Sequence, residues 1–232
     1  NKIFLAWNNM IKVIGGFFLF GVLLVVLFFN THMTLLGSGF LVGDGTHVLT
    51  YHHLVKEKET LTVKFPNEDN IEAKVVLLDP ASNLAILKLK DTPKVKRQPL
   101  VINQNGLGPK SEAVFTLGYP WTNTLQDQHV LIEGSTGITS ILIKLNMALD
   151  PVHSGSPLFN AQQEVVGMVL LEAHAKSAFS VKGSNNFAIP AMLLEKVLDE
   201  AKINATPAPD TNLTRQAFIS KSRNNIVLIE AR

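Results

Sequence analysis

The sequence predicts an all-β protein, a pair of barrels or sandwiches set behind one apolar segment, and three observations carry that expectation. Short runs rich in Val, Leu, Ile and Thr recur along the 232 residues, separated by clusters of turn residues. They fall into two groups, divided by the polar stretch Asp91 to Gln98. After the apolar segment, a single stretch carries a convincing helical stripe. Many short strands at this spacing, in two sets, are the pattern of paired barrels or sandwiches.

The first element is the run Val13–Phe29, VIGGFFLFGVLLVVLFF, with no polar side chain. At about 1.5 Å per residue this helix is near the lower limit for crossing a bilayer, and Trp7 stands where an interfacial aromatic would. A cleaved signal peptide would want small residues just past the run, where this chain has Asn30-Thr31-His32-Met33. The expectation is an uncleaved single span, with residues 1–33 as anchor. Lys2 and Lys12 precede it and no Lys or Arg follows until Lys56. The positive-inside rule then leaves the N-terminal side in the cytoplasm and the main domain outside. In a bacterium this describes a single-pass inner-membrane protein with a periplasmic domain.

The first strand set is Ser38–Val42, Thr46–Thr50, Leu61–Phe65, Ile71–Leu78 and Leu84–Leu89, with Gly43-Asp44-Gly45 and Pro66 to Asn70 as turns. Lys88 and Lys90 predict that the last of these is half exposed at its far end. The second set is Ala113–Leu117, Val130–Glu133, Ile141–Met147, Val165–Leu171 and Asn186–Ile189. Pro190 then opens a helix whose Leu193, Leu194, Val197, Leu198 and Ala201 form a stripe, expected to pack on the second set. Beyond it, residues 203–232 read as a tail. Its opening NATPAPDTNLT is linker-like, and its apolar run Ile226–Ile229 is able to add a strand to a neighbour or to this domain. No internal repeat is present.

Composition removes several function classes. A hydrophobic content of 46% excludes disorder for most of the chain. Without cysteine there is neither a disulfide scaffold nor a cysteine-based zinc site. The 21 basic residues exceed the 19 acidic ones only through Lys2 and Lys12, which leaves no electrostatic footprint for nucleic acid. Lys88, Lys90, Lys94, Lys96 and Arg97 read as a solvated strand end and loop.

Three segments carry the chemistry: GSGFLVGDGTHVLTYHHLV at 37–55, LLDPASNLAILKL at 77–89 and ALDPVHSGSPLFNAQQEVVGMVL at 148–170, the last followed by NNFAIP at 185–190. In order and separation, about 30 and then about 70 residues, they resemble the HtrA/Deg-type branch of the trypsin-like serine proteases over roughly 36–202. The resemblance implies two six-stranded Greek-key β-barrels, about 34–100 and about 108–190, then the helix 191–202, with the active site in the cleft between the barrels. It implies His53, in Thr50-Tyr51-His52-His53, as the general-base position. Ser154, in Val152-His153-Ser154-Gly155-Ser156-Pro157, is the nucleophile position, with the N–H groups of Val152 and Ser154 as the oxyanion hole. No cofactor is implied. A specificity pocket is expected near Val165–Leu171 and Ala178–Asn186.

That chemistry makes definite demands. A serine hydroxyl needs an imidazole to take its proton, a third group to hold the imidazole's tautomer, and N–H donors facing the developing oxyanion. Here Asn83 occupies the place of the orienting Asp. An amide that donates to the imidazole would put the proton on the wrong nitrogen, and a neutral amide has no charge to stabilise the imidazolium. The same exchange in trypsin lowers turnover about 10⁴-fold. Val152 stands where the family has glycine, His153 where it has asparagine, and Ser156 where it has a second glycine. Asp79 and Asp150 are the nearby carboxylates with any prospect of rescue. His52, His53 and His153, three imidazoles expected near the cleft, form a candidate metal set.

About 30 residues follow Lys202, too few for the PDZ domain usual in this family. Regulation is therefore expected to be lost or supplied by another chain. The reading that fits these features is a membrane-anchored pseudoprotease acting as an accessory or scaffold subunit among other membrane-protein subunits. The alternatives are an active periplasmic endopeptidase, for quality control or self-processing, and a module that binds a peptide or a metal in the old cleft.

Overall fold

Leu35–Val42 (β1), His47–Tyr51 (β2), Leu61–Lys64 (β3), Ile71–Asp79 (β4) and Leu84–Leu89 (β5) pair in a computed structural model of the chain, which describes residues 34–66, 70–95, 97, 99–103, 106–107, 111–118, 129–137, 141–171, 186–204 and 213–232. The second set is Ala113–Gly118 (β6), Val130–Gly137 (β7), Ile143–Asn146 (β8), Pro157–Phe159 (β9), Val165–Leu170 (β10) and Asn186–Pro190 (β11). Ile226–Ala231 is β12. Two closed barrels result, in the strand orders β1-β12-β3-β4-β5-β2 and β10-β11-β8-β7-β6-β9. The all-β class with two six-stranded barrels is therefore what the sequence led one to expect.

The stretch 203–232 is not a separate tail throughout: of the two prospects left open for its apolar run, the structure shows a strand added to this domain. Strand β12 pairs antiparallel with β1, from Leu35↔Ala231 to Phe40↔Ile226, and with β3, from Leu61↔Ala231 to Lys64↔Leu228. The first barrel thus does not end near residue 100: its sixth strand comes from the far end of the sequence. Ahead of it, Arg215–Ser222 forms a helix that the sequence does not announce. Its residues show no clean apolar stripe, and only Phe218 and Ser222 are buried. Its start is marked by Thr214, whose Oγ1 accepts from Ala217 N–H at 3.3 Å.

Strand β5 meets the expectation at its far end, where Lys88 is half-buried and Lys90, just past it, is exposed, while Leu84, Ala85, Ile86 and Leu87 are all 0% exposed. The helix Ala191–Glu200 packs on this strand as well as on β10 and β11. That helix buries Ala191, Leu194, Val197 and Leu198 along one face. The expected membrane segment Val13–Phe29 lies outside the described residues, among which no helix is long and apolar enough to cross a membrane.

Candidate active site

The first barrel presents His53 and Asn83. β2 runs straight into a single helical turn, His52–Val55, which carries His53. Between β4 and β5 the chain reverses in a turn set by Asp79, whose Oδ1 accepts from the N–H groups of Ala81 at 3.0 Å and Ser82 at 3.2 Å. Asn83 ends that turn in the left-handed region, φ 52°, which asparagine tolerates better than most residues. Its carbonyl accepts from His52 N–H at 3.0 Å, and its Oδ1 accepts from His53 N–H at 3.3 Å. Asn83 therefore caps the turn that bears the histidine, satisfying two otherwise orphaned donors.

The same Oδ1 lies 2.7 Å from His53 Nδ1. Two donors, one of them an invariable backbone N–H, converge on this atom, so it is the oxygen and not the nitrogen of the amide. The imidazole proton then sits on Nδ1 and Nε2 keeps its lone pair. The tautomer problem raised by the sequence does not arise in this geometry, but the missing charge remains. Asn83 is fully buried, and among the described residues its Nδ2 has no hydrogen-bond partner. Asp79 Oδ1 is committed to its own turn.

The second barrel presents the loop Asp150–Ser156. Pro151–His153 is one turn of 3-10 helix, in which His153 N–H donates to Asp150 O at 2.9 Å and Ser154 N–H donates to Pro151 O at 3.2 Å. The donor that should face an oxyanion is thus turned back on its own chain. Val152 is buried, its carbonyl accepts from Ser38 Oγ at 2.6 Å, and its side chain pairs with Leu228. Ser154 is 0% exposed, and its Oγ accepts from Leu171 N–H at 3.1 Å.

Strands of the first barrel brace this loop. Ser38 N–H donates to Ser154 O at 2.9 Å, and Thr50 Oγ1 donates to Ser38 O at 2.8 Å. Gly155 turns at φ 92°, where a Cβ would stand 1.9 Å from Ser38 O, so only glycine fits. Thr50 opens the motif that carries His53, and Leu228 lies in the apolar run Ile226–Ile229, but neither was given this bracing part in the sequence, and Ser38 was read only as the start of a strand.

His52, His53 and His153 do not form a metal set, and among the described residues no three side chains of suitable type do so. His153 Nδ1 instead accepts from Asp150 N–H at 3.0 Å, closing a capping box, and its ring packs where a Cβ on Gly118 would fall 2.3 Å from Cδ2. Burial, above all, lowers the pKa of His153. Burial also lowers that of His52, helped by the neighbouring His53 and Lys56. Of the expected specificity pocket, residues 178–185 lie outside the described residues.

Comparison with known proteins agrees with this architecture. Residues 37–168, more than half of the chain, match the trypsin-like peptidase domain family. A probable periplasmic serine endoprotease, DegP-like, from Pseudomonas fulva is 30% identical over 177 residues, 72% of this chain and 35% of that protein. An uncharacterized protein of Sinorhizobium fredii is 26% identical over 163 residues, 66% of this chain and 25% of that protein. The chain thus spans about a quarter to a third of the length of these relatives. The crystal structure of the serine endoprotease from Yersinia pestis shares the fold, with a TM-score of 0.56 at 24% identity over 71% of this chain and 57% of that one. The chain belongs to the trypsin-like peptidase domain family, on its HtrA/DegP-like branch.

Proposed function

We propose that this chain is a catalytically impaired HtrA-like protein, held at the periplasmic face of the inner membrane by the apolar segment Val13–Phe29 and serving as an accessory or scaffold subunit of a membrane complex. The observation that carries the impairment is the bond from Ser154 N–H to Pro151 O, which withdraws a donor from the oxyanion hole. One such donor is worth about 10²–10³ in turnover. The neutral Asn83 supports the same conclusion from the other barrel. The anchor rests on the length and flanking charges of the apolar run.

A second reading, a latent endopeptidase, is favoured by one specific observation: the 2.7 Å contact between His53 Nδ1 and Asn83 Oδ1, which sets the ring in the tautomer a general base needs. Fluorophosphonate labelling separates the two. The scaffold reading expects no labelling of Ser154 in the natural chain above that of Ser154→Ala, together with stoichiometric co-purification of membrane proteins that Ser154→Ala leaves intact. Rapid labelling of the natural chain, with casein digestion abolished by Ser154→Ala, would establish the endopeptidase instead.

A further inference from the structure

We infer that the segment Leu213–Ala231 is an internal brace that holds the oxyanion loop in its closed turn, with Leu228 as the positioning residue. The inference rests on the reading above, that the closed turn silences Ser154, and adds what keeps the turn closed.

The segment grips both barrels. On its helix, Arg215–Ser222, Phe218 stands edge-on to Phe159 at 5.2 Å and to Phe115 at 6.3 Å, both from the second barrel. The Arg215 guanidinium lies over the Phe115 ring, 4.8 Å from its centroid. The chain then crosses to the first barrel as β12. Along that strand Val227 and Ile229 share one face and Leu228 takes the other. Val227 and Ile229 join the main core, whereas Leu228 forms a separate apolar pair with Val152.

The register explains why this pair governs the loop. Leu228 stands opposite Ser38, the residue that donates Oγ to Val152 O and N–H to Ser154 O. β1 therefore holds the loop's main chain while β12 holds its side chain. Val152 is the middle residue of the 3-10 turn. Freeing Ser154 N–H from Pro151 O requires that turn to unwind, and unwinding draws the Val152 isopropyl group off Leu228. Phe218, on Phe159, fixes the strand that leaves the loop on its other side. A valine in the place of the family's glycine is thus more than a lost conformational freedom: it is the knob by which a strand from another part of the chain grips the hole.

The test measures the rate of fluorophosphonate labelling of Ser154 in the full chain carrying Asn83→Asp, to which Leu228→Ala, Val152→Gly, both together, or Val227→Ala are added. The brace predicts that Leu228→Ala raises the rate about tenfold or more, part of the value of one hole donor. Val152→Gly should do as much, and the pair no more than the better single change. Val227→Ala, on the opposite face of the same strand, should lower the melting temperature without raising the rate. If Val152→Gly accelerates labelling and Leu228→Ala does not, the brace is wrong and the closed-turn reading stands. If neither does, the closed-turn reading fails and the brace falls with it. Should Leu228→Ala not fold, Leu228→Val in the natural chain serves. Its Ser154 amide should exchange hydrogen faster, while the Gly155 amide, bonded to Val169 O, stays unchanged; equal protection of the Ser154 amide overturns the brace.

Discussion

His53 and Asn83, carried by the first barrel, keep the arrangement that proton abstraction asks of them, whereas the loop of the second barrel keeps its order of residues but has turned a donor away. The difference follows from what else each group does. Asn83 caps the helical turn under His53 with both its carbonyl and its Oδ1, so its position is fixed whether or not any substrate is cut. The hole has no such second duty, since an N–H aimed at an absent oxyanion stabilises nothing in the folded chain. Once a valine stands in that loop, burying it against Leu228 favours the closed form by about 1.5–3 kcal/mol. Structural employment has preserved one half of the site, and its lack has let the other close.

The largest effect that tests this contrast is expected at Gly155. A Cβ there would lie 1.9 Å from Ser38 O, in a backbone conformation at φ 92°. Gly155→Ala should cost about 3 kcal/mol or more, because strain and the forced separation of the loop from β1 add together. Denaturant unfolding of the two proteins measures it. A loss below about 1 kcal/mol would mean that the loop yields easily, and the picture of a rigid, closed second half would not hold.

A smaller effect is expected at Asn83, and it discriminates by chemistry. Asn83→Ala removes the acceptor from two donors and leaves alanine in the left-handed region, for a cost of about 2 kcal/mol. Asn83→Asp keeps the acceptor and tolerates the same φ, so its stability should stay within about 1 kcal/mol of the parent. Equal stability of all three in chemical denaturation would remove the capping role. The first half of the site would then need another reason for its preservation.

How much of this was legible in the sequence depended on the range of the contacts. Ten strands could be read from local alternation and turn chemistry, because runs such as Leu84–Leu89 between Asn83 and Lys90 punctuate themselves. β9, three residues long, gave too short a pattern. β12 was visible as an apolar run, but nothing local says that Leu228 pairs with Ser38 and Lys64, residues more than 160 positions away. At the site, the resemblance to the family implied Asn83 beside His53. Which amide atom faces the ring was not legible, since that depends on the backbone N–H of His53 sharing the same oxygen. The collapse of the hole was foreshadowed by Val152 but not determined by it; the partner that fixes it, Leu228, lies on β12.

Acid should sharpen the comparison from a third direction, with the smallest effect. His153 is 1% exposed, its Nδ1 accepts from Asp150 N–H, and among the described residues its Nε2 has no partner. Burial lowers its pKa below the ordinary 6.5, so the folded chain binds this proton less readily than the unfolded chain. Stability from this group is complete above about pH 6.5 and falls as the pH drops below that value towards the lower folded pKa. His52, in the first barrel, is shifted in the same direction and contributes with the same sign. Unfolding midpoints at pH 8 and pH 5 should therefore differ, and His153→Gln and His52→Gln should each flatten part of that slope, His47, lowered above all by burial, contributing with the same sign. Protonation at Nδ1 ends its acceptance from Asp150 N–H, while Asp150 O, 3.2 Å away, becomes the acceptor for the new N–H. A slope that His153→Gln leaves untouched would show that the ring is not held neutral by the turn, and the closed half of the site would owe nothing to it.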